Sequence, residues 1–126
     1  GKDSVTGGAG ADQIYDSGGA NTVHAGDGDD RVQLDIQAGG TLATNLVTLG
    51  NGNDQVFVNV ALGAMDGVFT IDGGAGSDLA FINRAASVAN LQFALSANAV
   101  LTNGRATLKN IEQVAITSGS GADRLT

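Results

Sequence analysis

The sequence predicts an all-β fold, a flattened solenoid of short parallel strands. Three observations carry this. Glycine recurs on a nine-residue beat, a carboxylate or amide follows it two positions later, and an apolar residue follows two positions after that. Periods of this kind mark chains built from stacked repeats, in which each unit buries its apolar face against the next.

Taken in order, Gly1–Thr6 supply the last six positions of one nonapeptide, and Gly7–Tyr15 is the clearest full copy. Asp16–His24 and Ala25–Gln33 follow without a gap, and further copies start at Leu49, Gly73 and Ser118. Position four is Gly1, Gly10, Gly19, Gly28, Gly52, Gly76 and Gly121; position six is Asp3, Asp12, Asn21, Asp30, Asp54, Asp78 and Asp123. Position eight is Val5, Ile14, Val23, Val32, Val56, Ala80 and Leu125, the inward member of a short strand whose neighbours point outward. A flexible glycine linker has no reason to keep Asp and an apolar residue in step.

A coil of two nonapeptides takes 18 residues, so the copies at 7 and 25 stack; the starts at 25, 49 and 73 are 24 apart and read as coils widened by six. The extra turns fall at Ala38-Gly39-Gly40 and over 62–67, and the lengthened strands turn Val32, Leu34, Ile36, Val56, Val58 and Val60 inward. Val5, Val23, Val47, Ile71 and Ile116, each two before a start, support the register. One edge is therefore expected to carry Asp12, Asp30, Asp54, Asp78 and, after an insertion, Asp123. The opposite edge begins with Asp3, weakens to Asn21, where Ser17 also replaces the position-two glycine, and then loses its motif.

From Asn83 to Gln113 the beat breaks. Residues 91–95 alternate as a strand, and 100–108 read as a hairpin turning at Asn103-Gly104 in a type I′ turn. A helix across 84–90 is weakly signalled, and 110–116 return to the solenoid. The chain is read as a single domain over 1–126 and a piece of a longer protein, with repeats over 1–82, a β-rich insertion over 83–113 that covers or extends them, and repeats again over 114–126. Phe57, Leu79 and Phe81 have outward parity, so the insertion or a neighbouring domain is expected to cover them.

Composition narrows the function. The 126 residues carry a net charge of −7, which argues against nucleic acid, and no apolar run reaches the length of a membrane span. All the acids but Glu112 are Asp, the short carboxylate that suits turns and oxygen-ligand sites. There is no cysteine and His24 is the single histidine, so zinc and copper lack their preferred ligands. No nucleophile elbow, phosphate loop or metalloprotease motif occurs, and the adjacent Asp29 and Asp30 lie on one turn rather than across a cleft. No regular Thr or Asn column marks an ice-binding face: position three runs Ala9, Gly18, Asp27, Asn51, Ala75, Ser120.

The nonapeptides resemble GGxGxDxUx, the repeat of the repeats-in-toxin (RTX) family. The resemblance implies a right-handed parallel β-roll, a β-solenoid that binds several calcium ions between successive turns and is not itself an enzyme. It nominates Asp12, Asp30, Asp54, Asp78 and Asp123 as side-chain ligands, with Asp3 and Asn21 on the weaker edge and Asp27 near a neighbouring ion. Loop carbonyls would come from around Gly8 and Gly10, Gly26 and Gly28, Gly50 and Gly52, and Gly74 and Gly76. Carboxylates stacked at the spacing of adjacent strands, about 4.7–4.9 Å, repel unless a cation lies between them. Calcium accepts carboxylates and carbonyls together. The resemblance further implies a secreted or cell-surface bacterial protein, surface-layer or adhesin-like, that folds on extracellular calcium after type I secretion. Its partners would be calcium, flanking parts of the same chain, and a second copy or a cell-surface ligand. The alternative is a calcium-dependent folding and secretion module appended to a secreted hydrolase or toxin.

Overall fold

Extended backbone between glycine turns lays one strand of each coil in each of two sheets. The structure, a computed structural model, describes residues 1–37, 44–61, 68–86, 92–94, 98–101 and 106–125. Its strands are β1 (Ser4–Ala9), β2 (Gln13–Ser17), β3 (Thr22–Asp27), β4 (Arg31–Ile36), β5 (Thr44–Asn51), β6 (Gln55–Val60) and β7 (Val68–Ala75). Then come β8 (Leu79–Asn83), β9 (Gln92–Ala94), β10 (Asn98–Leu101), β11 (Ala106–Lys109), β12 (Gln113–Thr117) and β13 (Arg124–Leu125). No helix occurs among the described residues.

One sheet runs β1-β3-β5-β7-β11-β10-β9-β13, the other β12-β8-β6-β4-β2. The repeat strands pair in parallel, β1 with β3, β3 with β5 and β5 with β7 in one sheet, β2 with β4, β4 with β6 and β6 with β8 in the other. This is a parallel β-roll. The coils of 18 and 24 residues hold as expected: Gly8 lies beside Gly26, Gly26 beside Gly50, and Gly50 beside Gly74.

The core lies between the sheets as columns of inward residues. Val23, Val47, Ile71 and Leu108 line one side; Val32, Val56 and Ala80, then Leu34, Val58 and Ile82, line the other, all buried. These thin layers are filled mainly by aliphatic side chains, with Phe69 buried among them, and burying each Val, Leu or Ile contributes about 1.5–3 kcal/mol. One residue breaks the pattern: Asp16 occupies the column of Leu34, Val58 and Ile82, and is 8% exposed.

The segment after β8 extends the first sheet. Strand β11 pairs in parallel with β7, while β10 is antiparallel to both β11 and β9. The 100–108 hairpin is present, with Leu101 opposite Ala106; its turn lies outside the described residues, as do 87–90 of the weakly signalled helix and the extra turns at 38–40 and 62–67. Within that helix's span, Ala85 and Ala86 form a turn. Phe57 and Phe81 do point outward, and it is one another that they cover: their rings stack at 4.6 Å, and the Arg31 guanidinium lies 4.2 Å from the centroid of Phe57.

Two expectations of register are corrected. Ile116 does not continue the Val5–Val23–Val47–Ile71 column, where Leu108 stands; it lies beside Ile82 in the second sheet. Asp123 does not join the Asp12–Asp78 line, because the strand after it, β13, pairs with β9 in the first sheet. The Ser118 copy therefore belongs to the turn leaving the second sheet. Its spacing from the Gly73 copy, 45 residues, fits neither coil length because β9 and β10 intervene.

Candidate metal centre

Each loop at the first edge leaves the first sheet, bends through two glycines and enters the second sheet at a position-six residue. The bend requires backbone that only glycine adopts freely. Gly26 has φ of 123°, and a Cβ there would run into the Gly8 carbonyl oxygen of the neighbouring coil. The loops thus stack backbone on backbone: Gly10 N–H donates to the Asp27 carbonyl (2.6 Å), Gly28 N–H to Asn51 (2.7 Å) and Gly52 N–H to Ala75 (2.8 Å).

The position-six carboxylates form a second, directional ladder. The Asp12 N–H donates to Asp30 Oδ1 (2.8 Å), the Asp30 N–H to Asp54 Oδ1 (2.7 Å) and the Asp54 N–H to Asp78 Oδ1 (2.9 Å). Asp30, Asp54 and Asp78 are 1–3% exposed. The other oxygen, Oδ2, of Asp12, Asp30, Asp54 and Asp78 is buried with no hydrogen-bond partner. A buried carboxylate oxygen without a partner is costly; Asp16 Oδ2 is a fifth such atom, off this line, and the four stacked in one column fit a cation between the loops.

The electrostatics agree. Burial first of all pushes the Asp54 carboxyl above its ordinary value; the Asp30 N–H pulls the other way, and the charges of Asp78, Asp30 and Asp29 add to the rise. Asp78 is likewise raised by burial, against the hydrogen bond from Asp54, with Glu112 and Asp72 adding to the rise. Without a cation these side chains resist carrying their charge.

The next residue of the ladder is Glu112, whose Oε2 accepts from the Asp78 N–H at 2.8 Å. The chain takes three residues from Lys109 to Glu112 where the preceding coil takes six from Asp72 to Asp78, so the glycine loop is gone. Asn110, at φ 49°, makes the tighter turn and donates to Asp72 Oδ1. Sequence reasoning missed this residue in the stack; its signal was being the chain's lone Glu.

Asp27 and Asp29, the two further acids of the loop at 25–30, find amide partners in the following coil. Asn51 Nδ2 donates to Asp27 Oδ1 at 2.8 Å, and the Asn53 N–H to Asp29 Oδ1 at 2.8 Å. Both are exposed, and their repulsion is relieved by these neighbours.

On the second edge, the Asp3 N–H donates to Asn21 Oδ1 and the Asn21 N–H to Asn45 Oδ1, each at 2.9 Å. The ladder then passes to Phe69 and Ala106, which cannot continue it. Asn45 was unforeseen because it lacks the glycines, although Asn45-Leu46-Val47 repeats Asn21-Thr22-Val23 at the 24-residue offset.

The first edge has a donor set that fits calcium: one anionic oxygen per loop and closely stacked carbonyls, with no sulfur or imidazole. Among the described residues no three His, Cys, Asp or Glu side chains converge. Loops that each bury a single carboxylate leave carbonyls to complete the coordination. No helix of the described residues is long and apolar enough to cross a membrane.

No curated protein and no solved structure matches this sequence. Residues 1–32 match the family model of the RTX calcium-binding nonapeptide repeat in four copies, a structural calcium-binding module. The same loop geometry recurs at 49–54 and 73–78, beyond the matched stretch. Residues 1–32 thus carry RTX nonapeptide repeats, a repeat that binds calcium, within a chain folded as a parallel β-roll.

Proposed function

We propose that the chain is a calcium-dependent structural domain of a secreted or cell-surface protein, folding where calcium is abundant. The observation that carries this is the column of buried, partnerless Oδ2 atoms of Asp12, Asp30, Asp54 and Asp78. In this reading those four oxygens hold the ions, with carbonyls of the loops at Gly8 and Gly10, Gly26 and Gly28, Gly50 and Gly52, and Gly74 and Gly76. Bound there, calcium supplies positive charge and oxygen coordination to carboxylates and carbonyls alike.

The chain's own residues set the coupling. The position-six N–H groups fix each carboxylate through Oδ1 in the stacked coils, which leaves Oδ2 to face an ion. The thin aliphatic core offsets the chain entropy only when that column is not left charged and bare. The RTX match supports an extracellular setting. The Ala-, Thr- and Gly-rich, cysteine-free composition supports a surface-layer or adhesin-like architecture.

Circular dichroism during calcium titration, followed by chelator, tests this. The strand signal is expected to appear with calcium and to collapse on chelation. A signal indifferent to chelator would refute it.

A further inference from the structure

The second edge has the same ladder as the first but a different occupant. Asn21 is 2% exposed, and its Oδ1 accepts from the Asp3 N–H, just as each position-six Asp accepts through Oδ1 on the first edge. Because that partner is a donor, the amide orientation is fixed, and Nδ2 stands where the partnerless Oδ2 stands on the first edge. This Nδ2 donates to Asp16 Oδ1 at 2.6 Å and to the Gly18 carbonyl at 3.0 Å, while Asp16 Oδ2 is buried without a partner as a single such oxygen rather than one of a stack. Gly18 is the position-three residue of this loop; on the first edge, position-three carbonyls accept from backbone N–H groups of the adjacent coil. Asp16 has no place in an aliphatic column unless it serves the loop beside it, for its equivalents are Leu34, Val58 and Ile82.

We propose that the second edge closes without calcium: the Asn21 side-chain amide, clamped between the Asp16 carboxylate and the Gly18 carbonyl, takes the place a cation has on the first edge. The inference rests on the calcium reading of the first edge. Two N–H bonds pointing at the loop oxygens repel a cation there, and they join the same groups that a cation would join. Asp3 and Asn21 then act as framework, and a single change, Asn21→Asp, converts the turn into an ion site.

The test is calcium bound per chain at saturation, by equilibrium dialysis with atomic absorption, on the full chain with circular dichroism to report folding. Asp16→Asn is expected to bind as many ions as the unaltered chain, and Asn21→Asp one more. Loss of one ion in Asp16→Asn, or an unchanged count in folded Asn21→Asp, would overturn the proposal. Should Asn21→Asp not fold, Asp16→Leu replaces it: an unchanged count supports the clasp and a loss of one ion overturns it. If the unaltered chain binds no calcium, the first-edge reading is what fails, and the clasp stands only if Asn21→Asp binds one ion.

Discussion

Oδ1 and Oδ2 of Asp54 have separable roles, one accepting the Asp30 N–H and the other buried without a partner. Asn at this position keeps the acceptor and removes the anionic oxygen. Asp54→Asn is therefore expected to leave the loaded fold intact while weakening calcium binding at the two adjoining gaps by about tenfold or more, roughly 1.4 kcal/mol each, as calorimetry would show. The same carboxyl predicts a pH effect in chelator. Burial raises Asp54 and Asp78 above their unfolded values, so the folded chain prefers them protonated. Their contribution is fully present below the unfolded value and is lost as pH rises through the folded one. Acid should therefore restore part of the strand signal that chelator removes, so circular dichroism of the metal-free chain taken from about pH 7 to pH 3 is expected to show rising strand content, with a smaller slope for Asp54→Asn. Asp35 works in the opposite sense: burial acts to raise it, yet bonds from Tyr15, Asn59 and Gln33 bring it below its ordinary value. Because that residue is unchanged in the variant, the difference in slope isolates Asp54.

Strands β2 to β8 follow from alternation, since one face of each meets the core and the other meets water. Leu34 lies inside that core and Leu46 outside it, at 1% and 41% exposed. In urea denaturation at saturating calcium, Leu34→Ala is expected to cost about 2–5 kcal/mol. Leu46→Ala should stay within about 0.5 kcal/mol. The loops were legible for a related reason: close stacking of backbones demands glycine, so the motif is written in the residues that have no alternative. Legibility failed where geometry can be met in several ways. Glu112 ends the stack by reaching from a shortened turn, and Asn45 continues a ladder by side-chain chemistry alone, neither needing a glycine signature. Asp123 failed differently. Its motif is good, but which edge a copy joins depends on how many strands the insertion adds, and that count was hidden in β9 and β10.

For the whole chain, stability is a sum over neighbouring coils, because each strand of the repeats contacts the one before and the one after. Four glycine loops, at 7–12, 25–30, 49–54 and 73–78, enclose three gaps on the first edge. The net charge of −7 is concentrated in Asp, and on the calcium reading each inner loop borders two gaps, so an ion in one gap orders a loop of the next even as it neutralises part of its charge. The ladder that joins the gaps has a direction. Every position-six N–H donates to the carboxylate of the coil that follows, and at the far end the Glu112 N–H turns back onto the Asp78 carbonyl. In the language of polymers the stack has one live end and one capped end. A glycine loop stacked ahead of Asp12 would find its Oδ1 as the next acceptor in the series, whereas the Glu112 N–H is already given to the Asp78 carbonyl. The carboxylate ladder can thus be lengthened from one side only.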